Sequence, residues 1–221
     1  MTDTTTNIEA ADRKRRLKKT AFALFLGGVV GFLGAMAGME LADSGAFGAF
    51  DPSREIALLV AILYAITGLG ILAGIAFPRA GATFLNVEDA DELREQRAML
   101  TMSGLGMTLM GAALAVVALG GADGAIAPGT AVALYAVLSV AAVVLSVKTL
   151  KLQDELMRAV GRQTGMVAFY LLALIGGTWA MLAHLGFVAA PAPLDWLTMI
   201  WSLMLLAAFI VVAQKGMMVM R

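Results

Sequence analysis

The stretch IALLVAILYAITGLGILAGIAF, residues 56–77, decides the fold. It carries no charged side chain. Wound as an α-helix at about 1.5 Å per residue, it spans the roughly 30 Å hydrocarbon core of a bilayer. A helix at the surface of a soluble protein would turn a polar face to water; this one has none, so lipid or protein must surround it. Working outward, five more stretches lack Lys, Arg, Asp and Glu: residues 21–39, 98–119, 124–147, 166–185 and 196–213. The breaks between them hold turn chemistry, namely Asp51-Pro52, Pro78-Arg79, Gly120-Gly121 with Pro128-Gly129, and Pro191-Ala192-Pro193. Pro128 suits the first turn of the fourth span. The expected architecture is all-α: a polytopic membrane helical bundle of about six transmembrane helices. Residues 1–19 form a basic tail, 20–214 the transmembrane domain and 215–221 a short C-terminal end.

Composition agrees. The chain has 221 residues, of which 60% are hydrophobic and 14% charged, with a mean hydropathy of +0.85. Soluble domains carry about 25% charged residues, so the solvent implied is lipid. The formal net charge is zero, which removes any bulk electrostatic case for nucleic acid. With no cysteine, disulfides, thiolate metal sites, Cys nucleophiles and iron–sulfur clusters are excluded.

Charge placement predicts orientation. Lys and Arg accumulate in cytoplasmic loops. With the N-terminus inside, the tail brings Arg13, Lys14, Arg15, Arg16, Lys18 and Lys19; the loop after the second span brings Arg79, Arg94 and Arg97; the loop after the fourth brings Lys148, Lys151, Arg158 and Arg162; the C-terminus brings Lys215 and Arg221. Of the 16 basic residues only Arg54 falls on the other side. Both termini are thus expected in the cytoplasm, in a bacterial inner membrane. Ala35-Met36-Ala37 after a basic and apolar run imitates a signal-peptide cleavage site, but the apolar run is long for one.

One offset relates Asp91-Glu92-Leu93 to Asp154-Glu155-Leu156 and also Pro128 to Pro191. The unit would be a charged lead, a helix out, a proline-bearing turn and a helix back, repeated in parallel rather than inverted. These leads, Asp91-Glu92-Leu93-Arg94 and Asp154-Glu155-Leu156-Met157-Arg158, resemble segments of uncharacterised bacterial multi-pass inner-membrane proteins, where Asp-Glu-(Leu/Met) with a nearby Arg precedes a membrane helix. The resemblance implies a multi-pass membrane architecture and no particular activity.

Few residues offer chemistry. In the leads, Asp91, Glu92, Arg94, Arg97, Asp154, Glu155, Arg158 and Arg162 recur at helical spacing. They are read either as a cytoplasmic docking surface or as solvated helix ends that set membrane depth. The Arg13–Lys19 cluster suits anionic lipid headgroups. In the first span Gly27, Gly31 and Ala35 share a face and Gly34 and Gly38 form a second pair; Gly70 and Gly74 lie in the second. Small residues at this spacing let membrane helices approach closely, within the bundle or in a homo-oligomer. Met36/Met39, Met99/Met102 and Met107/Met110 could offer thioethers to a soft metal, but also fill apolar gaps. His184 is the single histidine, and the topology separates it from Ser103 by about a bilayer, too far for nucleophile activation. No catalytic, cofactor or metal site is expected. Ion-coupled transport usually needs ionisable groups inside the membrane; these spans offer hydroxyls only. The sequence therefore points to a non-enzymatic membrane protein acting as scaffold, accessory subunit or regulator through protein or lipid partners. The alternative is a transporter or channel for a neutral or lipid-like solute.

Overall fold

The structure is a computed structural model that describes residues 25, 27–40, 44–45, 51–78, 80–81 and 90–217. The basic tail with its expected headgroup residues Arg13, Lys14, Arg15, Arg16, Lys18 and Lys19 lies outside the described residues, as do Arg79 and Arg221. The chain is helical: α1 Gly27–Glu40, α2 Pro52–Ala76, α3 Ala90–Glu95, α4 Arg97–Leu119, α5 Pro128–Leu152, α6 Glu155–His184 and α7 Pro193–Gln214. Five of these, α2 and α4 to α7, are long and apolar enough to cross a membrane, the architecture of an integral membrane protein. α1 is apolar but shorter as described.

Local chemistry fixes the ends. The Asp51 side chain accepts a hydrogen bond from the Arg54 N–H at 3.0 Å, and Pro52 opens α2. Asp154 caps α6 in the same way, accepting from the Met157 N–H at 2.7 Å. At α7 the Asp195 carboxylate reaches back to the Ala192 N–H at 2.7 Å. Gly186 and Gly216 adopt positive φ directly after α6 and α7. The N–H of Phe187 then closes on the Leu182 carbonyl and that of Met217 on Val212, the pairing that satisfies the last orphan carbonyls.

The long helices form an open row, α5–α4–α2–α7–α6, in which each packs on its neighbour. α1 lies antiparallel against α2, with Gly34 on Ile66 and Ile62, and Gly38 on Ile62 and Leu59. α2 is therefore the central helix. Its buried face, Ala57, Leu58, Ala61 and Tyr64, meets Ala113, Leu114 and Ala118 of α4 and Trp201 of α7 in one cluster. The outer helices are different. α5 buries only Ala131, Ala142 and Thr149 of its 25 residues, and α6 only Ala168 and Gly176 of its 30. Although Gln153 and Asp154 alone join them, α5 and α6 do not pack along their lengths.

The row sorts charge by end. Arg94, Arg97, Lys148, Lys151, Arg158, Arg162 and Lys215 gather at one end, called here the basic end; among the described Lys and Arg, only Arg54 lies at the other. His184 and Asp51 lie at that second end, opposite Arg94, Arg97 and Arg158.

Candidate functional site

Two features bear on function: the helix contacts inside the membrane and a recess at the basic end. The contacts engage several of the hydroxyls in the spans, while the buried Ser139 hydroxyl has no hydrogen-bond partner. The Thr67 hydroxyl donates to the Leu63 carbonyl, Thr101 to Arg97, Thr108 to Gly104, Thr149 to Leu145, Thr198 to Leu194 and Ser202 to Thr198, at 2.7–2.9 Å. Each is a bond to the carbonyl one turn earlier in its own helix, so these hydroxyls are satisfied without a neighbour or a solute. Tyr64 is the exception. Its hydroxyl crosses to the Trp201 carbonyl at 2.9 Å, and its ring leans on the Trp201 ring at 5.6 Å between centroids. This bond ties α2 to α7 where no water is available to replace it.

Close approach of α2 and α4 depends on glycines that sequence reading passed over. A Cβ on Gly68 would collide with the Thr108 hydroxyl and lie 2.6 Å from the Gly104 carbonyl oxygen; one on Gly111 would lie 2.7 Å from the Ala61 oxygen. Backbone meets backbone there, as small residues permit in lipid. The signal was present, since Gly104 and Gly111 sit two turns apart on one face, but it did not outrank the richer pattern in the first span. In that span the contact with α2 runs through Gly34 and Gly38, while Gly27 and Gly31 have no described atom within 4 Å of a would-be Cβ. Ala35 is partly buried beside them. Gly70 likewise opens onto space, whereas buried Gly74 lies directly beneath Gly81 as the chain turns back. Arg54, the basic residue at the wrong end for the charge rule, is pinned: its Nε donates to the Ala118 carbonyl at 2.7 Å, at the C-terminus of α4, where a cation complements the helix dipole.

The charged leads converge at the basic end. The second is continuous with α6. The first is not quite continuous: α3 ends at Glu95, Gln96 is a turn and α4 starts at Arg97. Most of the expected interaction residues are engaged locally. Arg94 pairs with Asp91 at 2.6 Å, Gln96 donates to Glu92 at 2.9 Å, and Arg158 Nε reaches the Leu150 carbonyl at 3.3 Å, on the last turn of α5. Asp154 is spent partly on its cap. Arg97, Glu155 and Arg162 are exposed. Between the leads lies a recess of about 250 Å³ lined by Glu95, Gln96, Ala98, Met99, Leu152, Asp154 and Met157. Of the eight lead residues singled out from sequence, only Asp154 lines it. Met99 joins Met157 there, not its sequence partner Met102. A second, apolar recess of about 300 Å³ at the other end is lined by Val117, Gly120, Gly121, Pro128, Ala131, Val132 and Tyr135.

Among the described residues no group of three or more His, Asp or Glu is placed to hold a metal ion. Ser103 starts near the basic end of α4 and His184 closes α6 at the other, so they do not meet. Comparison with protein-family models, with curated proteins and with solved structures found no match.

Proposed function

We propose that this chain is a non-enzymatic membrane protein that works through partners held in or at the bilayer, as a scaffold, accessory subunit or regulator. The observation that carries the reading is the open row of helices. Six span hydroxyls bond to their own helices and the Tyr64 hydroxyl closes a contact between helices, while the buried Ser139 hydroxyl has no hydrogen-bond partner. α5 and α6 each have one long neighbour and leave long apolar faces, including Val137, Val140, Phe169 and Leu174, to whatever adjoins them. In this reading α1 completes a sixth span, the basic end faces the cytoplasm by the charge rule, both termini lie there, and the membrane is a bacterial inner membrane. The transport alternative for a neutral or lipid-like solute rests on the splay of α5 from α6.

The test is photo-crosslinking in native membranes from positions on the outer faces of α5 and α6, for example Val140 and Leu174, followed by mild-detergent purification. A stoichiometric protein adduct is expected. Solute uptake by proteoliposomes carrying the pure chain, with no protein adduct from either face, would overturn the reading in favour of transport.

A further inference from the structure

We propose that the recess at the basic end seats the headgroup of a phospholipid bearing a primary amine, with its acyl chains running into the gap between α5 and α6. This deepens the partner reading above and rests on it, since it names one partner as a particular class of lipid. Three observations converge. The first is depth. The recess lies where α5 and α4 pass from charged to apolar residues, at Lys148–Leu152 and Arg97–Met99, which is the level of lipid headgroups.

The second is wall chemistry. Glu95, Asp154 and Gln96 bring carboxylates and an amide to the lining, and Ala98, Met99, Leu152 and Met157 bring apolar side chains. Such a wall matches a molecule polar at one end and apolar at the other. At about 250 Å³ it lies below the roughly 300–1,000 Å³ of most small-molecule pockets. That suits a headgroup entering from the bilayer better than a free metabolite. The third is its apolar surroundings. Leu152 and Met157 flank the Gln153-Asp154 junction between α5 and α6, and Val147, Leu150 and Leu156 on the adjoining turns are exposed apolar side chains that acyl chains can cover.

Headgroup selectivity follows from charge. The acids that line the recess favour an ammonium. Arg97, Lys151 and Arg158, each next in sequence to a lining residue and exposed, supply cations near the recess for the phosphate. A primary ammonium donates hydrogen bonds to Glu95 and Asp154. A quaternary one carries the same charge but cannot donate, and a glycerol headgroup offers no cation at all.

The experiment uses the full chain, purified in detergent, stripped of lipid and offered phosphatidylethanolamine, phosphatidylcholine and phosphatidylglycerol at equal concentration. Native mass spectrometry reads the retained adducts. Phosphatidylethanolamine is expected to be retained on the order of tenfold over phosphatidylcholine, the effect of about one charge-assisted hydrogen bond. Glu95→Gln should reduce that preference several-fold with the helical circular-dichroism spectrum unchanged. Equal retention of the three lipids overturns the proposal, and so does a preference for phosphatidylglycerol, which would mean that the cations near the recess govern. Selectivity that survives both Glu95→Gln and the recess-filling Ala98→Trp overturns it as well. The wild-type comparison decides even if a variant fails to fold. Loss of lipid preference with a protein adduct still found by crosslinking sinks this inference alone; loss of both sinks the partner reading.

Discussion

At the scale of single residues, the interior is held by a few contacts that have no substitute in lipid. Tyr64 supplies the side-chain hydrogen bond between α2 and α7. Tyr64→Phe keeps the ring against Trp201 and removes only the hydroxyl. It should cost about 1 kcal/mol, within the range measured for hydrogen bonds between membrane helices, read as a lower unfolding midpoint in detergent. A cost indistinguishable from zero would mean that the ring contact alone holds the pair. Gly68 is a sharper case because its would-be Cβ meets backbone, which cannot rotate away. Gly68→Leu should destabilise by roughly 3 kcal/mol, whereas Gly70→Leu, two residues on and facing open space, should stay within about 0.5 kcal/mol. Equal effects at the two positions would show that α2 and α4 do not meet as described.

At the scale of the element, α1 shows why a pattern of small residues does not name its own partner. Gly27, Gly31 and Ala35 make one stripe, Gly34 and Gly38 another, and both satisfy the spacing for close approach. Only the second faces α2, where the branched side chains of Ile62 and Ile66 fill the notch that glycine leaves. Gly34→Leu should therefore release α1 from α2, measured as loss of a disulfide engineered between Gly38 and Ile62, which meet there. Gly31→Leu should leave that crosslink intact. The reverse result would turn α1 over. α5 shows the converse problem. Its inward residues, Ala131, Tyr135, Leu138, Ala142 and Thr149, follow helical spacing, but its outward face is valine-rich and equally apolar. In water those faces would differ in polarity; in lipid both are apolar, so periodicity cannot tell them apart.

At the scale of the whole molecule, the alternation of helices carries the charge asymmetry through the structure, and the proposed orientation can be tested directly. Reporter fusions at Thr5 and after Arg221 should both give cytoplasmic signals. A periplasmic signal at either site would remove the six-span reading and the sidedness assigned to the recess. What the sequence determined by itself was the solvent and the helices. Charge-free runs of bilayer length, bounded by Asp-Pro, Gly-Gly and Pro-Gly, leave the backbone no way to satisfy its hydrogen bonds except as helix. The start of α5 at Pro128 and the clustering of Lys and Arg were equally legible, because each depends on residues near in sequence. The tertiary structure alone decided which helices touch. The row α5–α4–α2–α7–α6 rests on backbone approach at Gly68, Gly104 and Gly111 and on the bond from Tyr64 to Trp201. The recess is likewise tertiary, since Glu95, Met99, Leu152 and Met157 come from separate helices. Among apolar side chains in lipid no hydrophobic gradient selects a face, so the choice falls to shape and to a few hydrogen bonds, and those exist only between residues that folding brings together.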